Sequence, residues 1–197
     1  MIASHNSLTF NNPTSKIMGL FSFIWRCQNK CLIDQYNSGV RYFDIRVHRR
    51  NNVWEYCHGK TNLKGYATKL YYIFHMIQKC YPGTKCRIIL EKSSNKADRS
   101  LFISEAYSLI IDHEDKVRKV IHQFIIKKRW EIIWENYKMS HYKIVDKSWV
   151  PFTSDKPWYK QLSRKIFSTP KIWAKKHNHI TQEEINDPNI IYFYDYI

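Results

Sequence analysis

Glycine and proline are scarce in this chain, at 5 and 6 of 197 residues. That excludes collagen-like, linker-rich and low-complexity classes. No internal repeat points to a solenoid. Long apolar runs are missing as well. Apolar runs such as MGLFSFIW and HQFII fall well short of the roughly 20 residues a membrane span requires. The N-terminus does not join a basic segment to an apolar stretch, so no signal peptide is expected. The expectation is a cytoplasmic or otherwise intracellular protein that can still touch a membrane surface.

Cys27, Cys31, Cys57, Cys80 and Cys86 are the only cysteines. Their number is odd, and their spacing is neither that of a disulfide framework nor that of a zinc finger. Free thiols in a reducing compartment are the simpler expectation. Acidic residues are few, 17 against 32 lysines and arginines, which gives a net charge of +15. Such an excess favours anionic partners, among them phospholipid headgroups and nucleic acid. The basic residues are scattered in small groups such as VHRR, IIKKRW and WAKKHNH. No finger or zipper signature accompanies them, so nucleic acid is not the expected partner.

What is present is core-forming material. Apolar residues make up 44% of the chain and aromatics 16%, outside the disordered class. The length suits a single domain over 1–197. VRYFDIRV, at 40–47, has the β-branched and aromatic content of a buried strand. A return strand is expected through VWEYCHG, at 53–59. Leu63, Tyr66, Leu70, Phe74 and Ile77 recur at helical spacing and predict a helix over 63–79. Pro82 and Gly83 then make a turn, and CRIILEK, at 86–92, reads as another buried strand. Helices are predicted over 98–111 and 114–134, and one more within 14–36. Toward the C-terminus, KIVDKSW, the segment near KIFST and NIIYFYDYI are candidate strands, the last the strongest. Alternating strands and helices predict an α/β fold, layered or barrel-like.

Asp44 and Arg46 lie two apart on a predicted strand and so share one face. Ionised groups on an apolar strand are paired or used, because burying them alone is costly. A same-strand ion pair is the plain reading. The other reading is chemical, since His5 and His58 add two imidazoles that can serve as general base and general acid near neutral pH. Arginine can hold a phosphoryl oxygen while charge develops on it. An aspartate can orient an imidazole. That set is sufficient for phosphodiester cleavage without a metal.

SHNS at 4–7, GVRYFDIRV at 39–47 and HG at 58–59, in that order, resemble the X domain of phosphatidylinositol-specific phospholipase C. The clear likeness covers roughly the first 95 residues. It implies a distorted TIM-like barrel, abbreviated here, because a complete one takes about 250 residues. The resemblance makes His5 the base that takes the inositol 2-hydroxyl proton. His58 becomes the acid that protonates the departing diacylglycerol oxygen, and the product is a cyclic inositol phosphate. Arg46 stands where the metal-independent bacterial enzymes have a guanidinium and the eukaryotic enzymes a calcium-binding carboxylate. Calcium independence, with no cofactor, is therefore expected. Asp44 would hold Arg46 or the attacking hydroxyl.

Asn6 departs from the bacterial pattern, which has an acid there to support the second histidine, and so gives a mixed motif. Glu91 or Asp195 could stand in for that acid. Asp195 is also the candidate late carboxylate that orients His5. At the end of the next strand, Glu91 and Lys92 are neighbours on opposite faces and only one can point inward; Lys92 is slightly favoured, for an anionic headgroup. Asn6, Glu91, Lys92 and Asp195 complete the substrate-side set. The expected partner is anionic phospholipid at a membrane surface, met by aromatics among lysines such as WVPFTSDKPWYKQ. Alternatives are a weakened or inactive barrel that binds a headgroup or a protein, and a glycerophosphodiesterase-like enzyme, for which the DIR motif lacks the second magnesium carboxylate.

Overall fold

The computed structural model describes residues 1–59, 61–91, 95–111, 122–126, 129–135, 143–148, 169–179, 181–186 and 189–197. Its centre is a short strand, β1 (Ile2–Ser4), which lies parallel to β2 (Tyr42–Arg50) on one side and to the last strand, β9 (Ile190–Tyr194), on the other. Beyond β2 comes the parallel β5 (Lys85–Leu90), then β7 (Arg129–Glu135) and β6 (His122–Ile126), both antiparallel to their neighbours. Beyond β9 lies the parallel β8 (Lys143–Asp146). The strand order is β6-β7-β5-β2-β1-β9-β8. Among the described residues nothing joins β6 to β8. The fold is α/β, with a mixed, incompletely closed sheet in a distorted and abbreviated TIM-barrel-like arrangement.

β3 (Val53–His58) and β4 (Thr61–Ala67) extend from β2 as an antiparallel ribbon. Asn51 and Asn52 turn the chain from β2 into β3 at φ 48° and 60°. Two successive left-handed residues of this kind form a type I′ hairpin turn, which asparagine tolerates well. The single helix expected over 63–79 is therefore a strand followed by α4 (Leu70–Cys80). In β4 only Thr61, Leu63 and Ala67 are buried, whereas Tyr66 is 65% exposed. Leu63 and Tyr66 thus fell on the helical stripe by coincidence, and the helical face proper is Leu70, Ile73, Phe74 and Ile77.

Helix α5 (Lys96–Ile111) matches the prediction over 98–111. The helix expected over 114–134 is corrected: from 122 onward it is the β6–β7 hairpin, while 114–121 lie outside the described residues. HQFII and RWEIIWE are β-branched and aromatic, and pairing with β5 outweighs a helical spacing in such runs. Three short helices, α1 (Lys16–Leu20), α2 (Ser22–Trp25) and α3 (Leu32–Asn37), replace the one expected within 14–36. KIVDKSW supplies β8 and NIIYFYDYI supplies β9, as expected. Most of KIFST and all of WVPFTSDKPWYKQ lie outside the described residues. Among the described residues, two further helices, α6 (Pro170–His177) and α7 (Gln182–Asn186), precede β9.

The alternation of β2 divides the interior in two. Phe43, Ile45 and Val47 face outward and pack with Ile88 and Leu90 of β5 under the helical residues Leu70, Ile73, Phe74, Ile77, Phe102 and Ala106. Tyr42 faces the opposite way and joins Ala3, Ile191 and Phe193 in a small apolar plug within the curve of the sheet. Phe193 and Tyr42 meet edge to face at 5.5 Å. Both residues pair with Ala3 in register, so the plug forms one level of the parallel strands. Two residues farther along each strand the chemistry changes to His5, Asp44 and Asp195. In parallel α/β sheets this is the carboxyl-end side, where ligands bind.

Candidate active site

The SHNS segment is tied down by its own serines. Ser7 donates its backbone N–H to the Asp44 carbonyl at 2.8 Å, and its hydroxyl oxygen accepts from the Asp44 backbone N–H at 2.8 Å. The Ser7 hydroxyl also donates to the Ser4 carbonyl at 3.0 Å. Between them Asn6 takes φ 50°, a left-handed conformation in which asparagine is enriched. Its backbone N–H thereby reaches Asp44 Oδ2 at 3.1 Å. Gln28 braces the other side, donating from Nε2 to the carbonyls of His5 at 3.2 Å and Tyr194 at 2.8 Å. His5 is thus fixed at the junction of β1 and β9.

The His5 ring is held at both nitrogens. Nδ1 lies 2.9 Å from Asp195 Oδ1, and Nε2 lies 2.8 Å from Arg46 Nη2. A guanidinium can only donate, so Nε2 carries the lone pair and the Nδ1–H points to the fully buried Asp195. Arg46 also donates to Glu91 Oε1 at 2.6 Å and to Asp44 Oδ2 at 3.3 Å. Asp44 accepts from Arg87 at 3.2 Å. Burial alone would raise the Asp44 pKa, but Arg87, then Arg46 and His5, hold it far below the usual carboxylate range. Glu91 is lowered on the same pattern, with Arg46 as the leading attraction.

His58 ends β3, opposite His5. Their ring centroids are 6.5 Å apart and their planes 86° from one another. Trp25 closes the other side of His58 at 6.3 Å. Gly59 follows at φ 57° and donates its N–H to Glu91 Oε2 at 2.7 Å, which anchors the hairpin tip to the site. Burial, and then the charge of Arg46, push the His58 pKa down to about 3, against a smaller opposing pull from Glu91. Among the described residues its Nδ1 has no hydrogen-bond partner. In the free protein the His58 ring is accordingly expected to stay neutral from pH 8 down past pH 4. Its nitrogen shifts, followed by heteronuclear NMR, check this, and a midpoint near the unperturbed value of about 6.5 would contradict it.

The structure therefore brings His5, Asn6, Asp44, Arg46, His58, Glu91 and Asp195 together. Just past β5, Glu91 points inward and is buried; Lys92, the slightly favoured member of that pair, lies outside the described residues. Neither Glu91 nor Asp195 replaces the missing acid beside His58 through a direct bond. Glu91 is engaged by Arg46, Gly59 and the Cys57 thiol, at 3.7 Å from its sulfur. Asp195 is engaged by His5. Arg87 and Gln28 were not singled out in the sequence. Arg87 was within reach, because 87, 89 and 91 alternate onto one strand face. Gln28 was not, because its role depends on where the loop after α2 returns. Cys27, fully buried, also approaches: its Sγ lies within 4.8 Å of ligand atoms of His5 and Asp195. Those three donor types together suit a metal ion.

The whole chain superimposes on 87% of a phosphatidylinositol-specific phospholipase C from Listeria monocytogenes, with a TM-score of 0.54 and 14% sequence identity. The likeness is one of fold. No family model and no curated protein matches the chain.

Proposed function

We propose that this protein cleaves phosphatidylinositol, or a closely related lipid phosphodiester, by general acid–base catalysis without a metal. The observation that carries the reading is the bracing of His5, with Asp195 on Nδ1 and a guanidinium on Nε2, opposite a second histidine. The phosphodiester would draw Arg46 away from Nε2, freeing the lone pair to take the proton of the inositol 2-hydroxyl. The resulting oxygen attacks phosphorus while Arg46 holds a non-bridging oxygen. Asp195 stabilises the imidazolium that forms on His5. His58, neutral in the free protein, takes a proton from solvent as the substrate anion beside it opposes both burial and the charge of Arg46, and then delivers that proton to the diacylglycerol oxygen. The products are diacylglycerol and a cyclic inositol phosphate. Arg46 places a fixed positive charge where a metal would otherwise be needed, and no cofactor enters the scheme.

The access route suits a lipid. Ile17 and Leu20 of α1, Phe21 at the junction and Phe23 of α2 are exposed by 50% or more, on the segment that ends in Trp25 beside His58. No helix among the described residues is long and apolar enough to cross a membrane, so the contact proposed is peripheral. Replacing Phe21 and Phe23 together by serine is expected to weaken binding to phosphatidylinositol vesicles by about tenfold or more, from the apolar area no longer buried. Cleavage of a short-chain monomeric substrate should be unaffected. Vesicle sedimentation beside a monomer assay checks both halves.

A second reading, headgroup binding without turnover, draws on the depressed pKa of His58 and on Asn6. One assay separates the two: release of labelled inositol phosphate from phosphatidylinositol micelles, in EDTA and in calcium. Equal release in both supports metal-independent cleavage. Release only with calcium contradicts it, and saturable headgroup binding without release favours the second reading.

A further inference from the structure

Beside the proposed catalytic pair is a donor set that the acid–base scheme does not use. Cys27 lies in the loop after α2, His5 at the end of β1 and Asp195 after β9. Their sulfur, ring nitrogen and carboxylate oxygen lie within 4.8 Å of one another. The Cys27 sulfur and the Asp195 side chain are both buried, and the His5 side chain, 12% exposed, is the way in.

We infer that His5, Cys27 and Asp195 form an inhibitory site for a thiophilic divalent cation, zinc in particular. The inference rests on the proposed function only for the word inhibitory; the site itself stands on the geometry. A thiolate, an imidazole and a carboxylate are the ordinary ligands of zinc, at about 2.0–2.3 Å. One sulfur and one carboxylate do not meet the six to eight oxygen ligands of calcium. Charge also balances, because one thiolate and one carboxylate neutralise one divalent cation, so burial leaves no net charge. Without the metal, burial and then the nearby Asp195 charge raise the Cys27 pKa well above its usual value, so the sulfur is a thiol, which donates to the Trp25 carbonyl at 3.6 Å.

Binding redistributes two protons. The Cys27 proton leaves to solvent. The His5 proton leaves Nδ1, which takes the metal, and moves to Nε2. One proton is released per cation, which makes affinity rise with pH. The new Nε2–H then faces the Arg46 N–H 2.8 Å away, donor against donor, and Arg46 must turn from His5. The ring has lost the lone pair that the base step needs.

The test uses the whole protein and two readouts. Cobalt(II), which occupies zinc sites and reports thiolate ligation by a near-ultraviolet charge-transfer band, is titrated without substrate. One equivalent should produce the band in the wild type, and Cys27→Ser and Cys27→Ala should both abolish it. Serine replacement of Cys31 and Cys80, the two less buried thiols, should leave it intact. Zinc affinity, measured by competition with a chelating dye, should fall by more than about tenfold in the Cys27 variants. Zinc should also suppress lipid cleavage by the wild type, reversibly with EDTA, and not by the Cys27 variants. No band in the wild type, or one that survives both Cys27 variants while their thermal melts stay cooperative, overturns the site. A band without lipid cleavage keeps the site and counts only against the proposed reaction. Cleavage that zinc leaves untouched while the band forms overturns inhibition.

Discussion

Replacing His5 by alanine is expected to lower the rate of phosphatidylinositol cleavage by about 10²–10⁴-fold, the usual contribution of a positioned general base. The loss should appear mainly in kcat, because the ring acts on the proton in flight and contributes little to holding the headgroup. The fold should tolerate the change. His5 stands at the rim of the site, and Ala3, Tyr42, Ile191 and Phe193 fill the level below without it. Its backbone stays pinned by the Tyr194 carbonyl at 2.9 Å and by Gln28. Steady-state kinetics with a thermal melt on the same sample check both statements. A residual rate within about threefold of wild type would remove His5 from the chemistry, since a group worth less than about 0.7 kcal/mol at the barrier is no general base.

The second large effect is on stability. Asp44 is completely buried, and its Oδ2 accepts from Arg46, Arg87 and the Asn6 backbone. Alanine there leaves the Arg87 guanidinium with its face on the Phe193 ring, 4.1 Å from the centroid, and without its carboxylate. Arg46 keeps only Glu91 of its two carboxylates. Removing one partner of a buried ion pair costs about 3–5 kcal/mol. At about 2–4 °C per kcal/mol for a chain of this size, the melting temperature should fall by roughly 10 °C. The pH dependence has a definite sign. The Asp44 pKa is lowered on folding, so its contribution is full above the unfolded value of 3.8 and is lost gradually as pH falls from there toward the far lower folded value. Wild type and Asp44→Ala should therefore differ most near neutrality and converge in strong acid. Melting curves from pH 7 down to pH 3 catch the start of that loss: the shift should be largest at pH 7 and begin to narrow below about pH 4, and a shift that is small at pH 7 or that grows in acid contradicts the account.

Much of the site was legible because a strand shows its two faces in sequence. Asp44 and Arg46, two apart within an apolar run, announced an inward-facing charge pair. Asp195 came from the family resemblance rather than from alternation; the structure places it two residues beyond Phe193 and level with His5. Alternation would also have found Arg87 and preferred Glu91, since 87 and 91 share a face while 92 does not. The preference for Lys92 came from the ligand the site was expected to bind; Glu91 is the member of the pair that the described residues show buried in the site. The boundary between β4 and α4 was lost because a single strand turn and the helix after it happened to line up apolar residues at helical spacing. HQFII and RWEIIWE were lost because short apolar runs fit both periods, and only a partner strand decides between them. Cys27 and Gln28 could not be read from local pattern at all. They reach the site because a loop returns across the ends of β1 and β9, and that contact joins residues 23 and 166 positions apart, as in the bonds from Gln28 to His5 and Tyr194.

The most direct measurement is a phosphorus NMR time course of phosphatidylinositol micelles with purified wild-type protein in EDTA, run beside His5→Ala. The account predicts a cyclic inositol phosphate resonance growing in the wild type and none above background in the variant. An acyclic phosphate as the first product, or equal rates in the two samples, would contradict it.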